Sequence, residues 1–184
     1  MKEITLTIDG YAVTCKQGET ILEASKKIKA IHIPTLCYSN KLKPHGVCRL
    51  CMVEITRGAK KKLVASCVYP AEEGLIVQTK TDTIVKMRRI LIELLWPTSQ
   101  QFAKEYGVTK SRFRLQQEDC NLCGLCVRYC SEINKSNIVY FKNRGIERKV
   151  DFIPGYANEC ASCEKCFDLC TGGWIINEMM KMGR

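Results

Sequence analysis

The chain has no glycine-rich dinucleotide loop, no phosphate-binding loop and no candidate catalytic triad. Nothing in it points to nucleotide binding or to an active site of its own. No apolar run approaches the ~18 residues of a membrane span. The longest, ILIELLW at 90–96, holds Glu93 and is stopped by Pro97. The start, MKEITLTIDG, lacks the basic end, apolar block and small-residue cleavage site of a secretory leader. Without export, thiols stay reduced and disulfides are not expected. The expected location is the cytoplasm.

Cysteine is abundant instead, with 13 in 184 residues. With disulfides set aside, zinc and iron–sulfur clusters compete for them. The formal charge is +10, which raises nucleic acid or an acidic partner. That figure counts every thiol as neutral. An oxidised all-cysteine cluster carries about −2 overall, so three would bring the protein to roughly +4. The basic residues are scattered. Only Lys60, Lys61 and Lys62 form a run, read as a solvated hairpin tip. Interleaved aromatic and basic stretches are missing, so nothing further suggests nucleic acid.

The N-terminal pattern is an α+β one. Ile4, Leu6 and Ile8 alternate, Asp9-Gly10 makes a tight turn, and Tyr11, Val13 and Cys15 alternate after it. Thr20 with Glu23 forms a capping box for a helix through about Lys29, ended by Pro34. Residues 52–56 and 62–67 read as a second strand pair across Arg57-Gly58, and 75–79 as a further strand. A helix on one face of a sheet is expected. Asp82 caps a helix over 83–96 with Ile84, Met87, Leu91 and Leu95 in one stripe. Periodicity leaves open whether that stripe meets the protein's own core or another subunit. Residues 97–115 form a polar connector with a short helix near Phe102 to Tyr106. The expected domains are 1–80, a connector at 81–115, and 116–184.

Two runs of spacing C-x2-C-x2-C-x3-C carry the most specific signal: Cys120, Cys123, Cys126, Cys130, and Cys160, Cys163, Cys166, Cys170. In two-cluster ferredoxins the fourth cysteine of each run ligates the other four-iron cube. Cys120, Cys123, Cys126 and Cys170 are therefore assigned to one [4Fe–4S] cluster, and Cys130, Cys160, Cys163 and Cys166 to a second. Zinc sites use separated C-x2-C pairs, which these runs are not. Simple ferredoxins have proline after the fourth cysteine. Here Ser131 and Thr171 follow, each expected to bring an N–H and a hydroxyl near a cluster sulfur and so to raise its potential. Cys37, Cys48, Cys51 and Cys67 make a looser set, C-x10-C-x2-C-x15-C, suited to a [2Fe–2S] cluster; zinc remains the alternative there. Gly46 is expected to let the backbone pass close to that cluster. Cys15 is left over as a buried small hydrophobe.

LCYSNKLKPHGVCRLCMVEI and LVASCVYPAEEGLIV resemble the N-terminal [2Fe–2S] domain of the large iron–sulfur subunit of respiratory complex I. The same module occurs in [FeFe] hydrogenases, diaphorase subunits of NAD-reducing hydrogenases and NAD-dependent formate dehydrogenases. EDCNLCGLCVRYCSEI, FKNRG and CASCEKCFDLC resemble the two-cubane domain that follows in those proteins. The resemblance implies a β-grasp, plant-ferredoxin-like N-terminal fold and a bacterial two-[4Fe–4S] ferredoxin-like C-terminal fold. It implies an electron-transfer subunit that works with a flavin-containing NAD(P)H-binding subunit and a second redox or catalytic subunit. Many relatives hold a further cluster between the two domains through one His and three Cys. Residues 80–119 contain neither, so that cluster is expected to be absent, with electrons crossing by another arrangement. Two alternatives remain: a free-standing multi-cluster ferredoxin and a zinc-stabilised adaptor.

Overall fold

The computed structural model describes residues 2–113 and 119–182. The first two strands, β1 (Glu3–Ile8) and β2 (Tyr11–Lys16), form the expected hairpin. Ile4, Leu6, Ile8, Val13 and Cys15 face the core, while Tyr11 lies outside it and is exposed. The capping box of α1 (Ile21–Ser25) is complete: Thr20 accepts from the Glu23 N–H, and the Glu23 carboxylate accepts from the Thr20 N–H at 2.8 Å. The helix ends at Ser25 rather than near Lys29. The Ser25 hydroxyl donates to the Leu22 carbonyl, offering the backbone a local alternative to further helix.

β3 (Met52–Arg57) and β4 (Lys60–Ala65) form the second hairpin, and β5 (Ile76–Gln78) completes a five-stranded sheet in the order β2-β1-β5-β3-β4. β5 lies parallel to β1 and antiparallel to β3, so it joins the two hairpins at the centre. Ile21, Leu22 and Ala24 of α1 pack with Leu6, Val53, Ile55 and Val77 of the sheet. This mixed sheet with one covering helix is the ferredoxin-like arrangement that the resemblance implies. The lysine run is not the hairpin tip. Lys60, Lys61 and Lys62 lie along the edge strand β4, where exposed charge discourages edge-to-edge pairing.

α2 (Asp82–Leu94) is capped by Thr81, whose side chain accepts from the Ile84 N–H; Asp82 is the first helical residue. Its inner face is rotated from the expected stripe. Ile84 and Ile92 are fully buried, Leu91 and Leu95 pack beside them, and Arg88 sits at the centre of the face with no exposed surface. The stripe therefore meets the protein's own core. α3 (Gln100–Tyr106) packs on α2 through Phe102, Ala103 and Tyr106. These residues share one apolar cluster with Leu36, Cys37, Cys48 and Leu50.

The C-terminal part contains α4 (Leu125–Arg128), a π-helical turn Tyr129–Ile133, the hairpin β6 (Val139–Lys142) and β7 (Lys149–Phe152), α5 (Ala157–Cys163) and α6 (Trp174–Met182). Val139, Val150, Phe152 and Ile175 pack around the cysteines, with Phe152 stacked on Trp174 at 5.6 Å between ring centroids. The expected boundary at 115/116 falls outside the described residues. No described helix is long and apolar enough to cross a membrane.

Candidate iron–sulfur sites

All 13 cysteines are free thiols. Twelve of them gather into three groups of four, and Cys15 stays apart in the sheet core, where burial pushes its thiol up.

The first group lies where the loop before β3 meets the turn after β4. Cys37, Cys48, Cys51 and Cys67 are each at most 6% exposed. They fall into two pairs. The Cys48 N–H donates to Cys37 Sγ at 3.3 Å, and the sulfurs of Cys51 and Cys67 are 3.3 Å apart. Within each pair one thiol is held down by its neighbour. Cys48 falls to about 5, chiefly through its hydrogen bond with Cys37, helped by the N–H groups of Leu36 and Leu50. Cys51 falls to about 7, chiefly through Cys67. Two pairs of thiols suit a rhomb of two irons, each of which takes two protein sulfurs. Gly46 adopts φ +66, a left-handed conformation strained for other residues, so its place in the loop is a matter of backbone turning. Ser66, fully buried, ties the two sides of the site together: its hydroxyl donates to the Cys51 carbonyl at 2.8 Å.

The second and third groups exchange their fourth members. Cys120, Cys123, Cys126 and Cys170 line one void, together with Leu125, Val150 and Trp174. Cys130, Cys160, Cys163 and Cys166 line another, with Tyr129, Ile138 and Val139. The fold brings this about simply. The π-helical turn after α4 carries Cys130 away from its own run, and the chain after α5 returns Cys170 beside Asp119 and Cys120. Burial pushes these thiols up: Cys123 and Cys160 to about 11 and Cys166 to about 12, with Cys126 raised likewise. Neighbouring thiols add to the rise. Such a set ionises together only around a cationic core that replaces the lost hydration.

The backbone favours such a core. Arg49, Leu122 and Glu164, one inside a C-x2-C turn of each group, have φ of 58°, 55° and 51°. A left-handed residue in a tight turn points successive N–H groups into one concavity, which suits an anionic sulfur-rich group. Among the described residues, no three His, Cys, Asp or Glu side chains converge closely enough to share a single ion. Four thiols around each void make a donor set that a multi-iron group would take. A lone zinc draws its sulfurs to about 2.3 Å from one point.

The expectation for the hydroxyls of Ser131 and Thr171 changes. The Ser131 hydroxyl donates to the Arg128 carbonyl at 3.3 Å, and the Thr171 hydroxyl accepts from the Asn121 amide at 3.5 Å. The side chain that donates to a cysteine sulfur here is Asn134, whose amide lies 3.5 Å from Cys163 Sγ. Cysteine spacing carries no signal for it. The N-terminal and C-terminal sites also meet. Cys123 packs in the same apolar cluster as Cys37 and Cys48. His45 Nε2 is 2.9 Å from the Cys123 carbonyl oxygen, and Arg128 Nη1 donates to the Lys43 carbonyl at 2.8 Å. The first two groups of thiols are therefore direct neighbours.

Residues 1–82 match the family model described as a 2Fe-2S iron-sulfur cluster binding domain. The chain is 28% identical over 209 aligned positions to the NADPH-Fe(3+) oxidoreductase subunit alpha of Geobacter sulfurreducens, covering 97% of this chain and 24% of that protein. It is 26% identical to the NADP-reducing hydrogenase subunit HndD of Solidesulfovibrio fructosivorans, covering 96% of this chain and 36% of that one. Its fold is similar to a chain in the crystal structure of an NAD+-reducing [NiFe]-hydrogenase in the H2-reduced state. The TM-score there is 0.71 at 29% identity, with 83% of this chain and 76% of that chain covered. The chain spans about a quarter of the length of the first of these relatives and about a third of the second. Residues 1–82 are thus similar to 2Fe-2S iron-sulfur cluster binding domains, and the chain as a whole is similar to part of subunits of NAD(P)-linked oxidoreductases.

Proposed function

We propose that this chain is an electron-transfer subunit of a cytoplasmic, multi-subunit NAD(P)-linked oxidoreductase of the hydrogenase, formate dehydrogenase or electron-bifurcating transhydrogenase type. In this reading Cys37, Cys48, Cys51 and Cys67 hold a [2Fe–2S] cluster within residues 1–80. Two [4Fe–4S] clusters are held within 116–184, one by Cys120, Cys123, Cys126 and Cys170, the other by Cys130, Cys160, Cys163 and Cys166. When bound, such clusters accept and release single electrons without bond rearrangement, and hydride chemistry is left to a flavin or nicotinamide site elsewhere. The working partners are a flavin-containing NAD(P)H-binding subunit and a second redox subunit.

The observation that carries the reading is the placement of three four-thiol groups in series. Cys48 and Cys123 share one apolar cluster, and Cys126 and Cys130 lie in consecutive turns of one helical segment. The protein's own part is to hold thiolates, exclude water and fix separations. Leu50, Ile92 and Phe102 cover the junction, and His45 pins the Cys123 loop to the loop before Cys48. That contact supports passage between the sites without an intermediate cluster.

Iron, sulfide and zinc content of anaerobically purified protein tests the reading, with EPR of the reduced sample alongside. About ten irons per chain are expected, two plus four plus four, with one rhomb signal and two interacting cubane signals. Little iron and several zincs would remove the electron-transfer role.

A further inference from the structure

Arg88 is the largest fully buried side chain among the described residues, and none of them gives it a carboxylate partner. Its guanidinium is held by four neutral acceptors. Nε donates to the Leu50 carbonyl at 3.0 Å, Nη2 to the Met52 carbonyl at 2.8 Å, and Nη1 to the Thr79 carbonyl at 2.9 Å and the Tyr106 hydroxyl at 2.8 Å. A buried cation with only neutral partners is costly, because carbonyl dipoles replace lost hydration only in part. Leu50 and Met52 flank Cys51. Arg88 thus fixes the carbonyls on both sides of Cys51 and places one positive charge beside the loop that carries that thiol.

We infer that Arg88 is the buried counter-charge and positioning residue of the [2Fe–2S] site, setting its reduction potential through the Leu50–Met52 backbone. This rests on the assignment of that site to Cys37, Cys48, Cys51 and Cys67. The net charge of four thiolates and an oxidised two-iron core is about −2, and one added electron takes it to about −3. The cation that offsets burial of the first charge state favours the second more. At roughly a nanometre in a protein interior, one unit charge shifts such an equilibrium by about tenfold. Arginine supplies this with a planar fork that clamps two carbonyls at once. Lysine supplies the charge without the fork.

The test is a potentiometric titration of the full chain, purified anaerobically, with dithionite as reductant and the [2Fe–2S] EPR signal as readout. Arg88→Met, Arg88→Gln and Arg88→Lys are compared with the parent. The two neutral variants are expected to lower the reduction equilibrium constant about tenfold (59 mV for one electron), with the cubane signals unmoved. Arg88→Lys should keep most of the potential but broaden the signal, because the Cys51 loop is less firmly held. If the neutral variants lose the cluster and Arg88→Lys retains it, the need for the charge is equally supported. An unchanged potential in a neutral variant that holds its cluster overturns the inference, and so does loss of the two-iron signal in all three variants, which leaves Arg88 a packing role only. A parent protein without a two-iron signal instead removes the cluster assignment itself.

Discussion

Exchange of the fourth cysteine between the two C-terminal groups predicts a pattern of non-additive losses. Cys130 lines the void of Cys160, Cys163 and Cys166, while Cys126, four residues earlier, lines that of Cys120, Cys123 and Cys170. A cube short of one thiolate can persist in altered form, so paired substitutions discriminate best. In Cys130→Ala/Cys160→Ala both lost ligands belong to one group. About four irons should go, leaving about six of ten and a single cubane signal without spin coupling. In Cys126→Ala/Cys130→Ala the ligands are sequence neighbours but serve different groups, so both cubes are weakened and up to about eight irons are lost. Iron and sulfide content of anaerobically prepared protein, with EPR of the dithionite-reduced sample, reads both counts. The opposite order would refute the exchange: neighbours in one run removing one cube, and Cys130 with Cys160 removing both. The rhomb signal should stay constant throughout, since Cys37, Cys48, Cys51 and Cys67 are untouched.

Further outcomes are expected. In Gly172→Ala the new methyl would overlap the Asp119 carbonyl oxygen and lie 2.7 Å from Thr98 Cγ2, well inside the ~3.5 Å of ordinary carbon contact, so the Cys170 and Cys120 segments must part. A cost of about 1–3 kcal/mol and loss of that cube alone are expected by thermal denaturation and iron analysis. Cys15→Ala should retain all ~10 irons, whereas Cys51→Ala should lose about two, as colorimetric iron content would report. Tyr106→Phe leaves one Arg88 donor unpaired in the interior and should cost about 1–3 kcal/mol in denaturant unfolding. The Arg112 guanidinium, 2.6 Å from Glu93, holds that carboxyl below its ordinary range. A carboxyl lowered in the folded state adds stability that is present above its unfolded value of about 4.5 and is lost as pH falls through the lowered value. The advantage of the parent over Glu93→Gln should therefore shrink below about pH 4.5 and stay constant above it, as melting temperatures across that range would show.

Much of the architecture was legible because its signals are local. Thr20 and Glu23 make the capping box, Asp9-Gly10 makes the first turn, and two equal cysteine runs declare two equal sites. The elements that depend on distant partners were not legible. The stripe on α2 was expected to be wholly apolar, and nothing in periodicity marks Arg88 as a core residue. Its acceptors come from the loop beside Cys51, the end of β5 and α3, which only the folded chain brings together. The lysine run reads as a hairpin tip until the pairing of Arg57 with Lys60 places it along an edge strand.

The same division holds for function. The number, type and spacing of the thiols are one-dimensional properties, because C-x2-C turns close over a few residues whatever the rest of the chain does. Those spacings by themselves pointed to iron–sulfur chemistry. Tertiary structure decided which sites touch. Residues 36–48 and 121–128 are far apart in the chain, and they meet because α2 and α3 supply an apolar floor under both loops. It also decided which side chains reach the sulfurs. A hydroxyl next to a cysteine in sequence can turn away, as Ser131 does, while the Asn134 amide turns in, since hydrogen-bond direction is set by backbone dihedrals and neighbours rather than by adjacency in the chain.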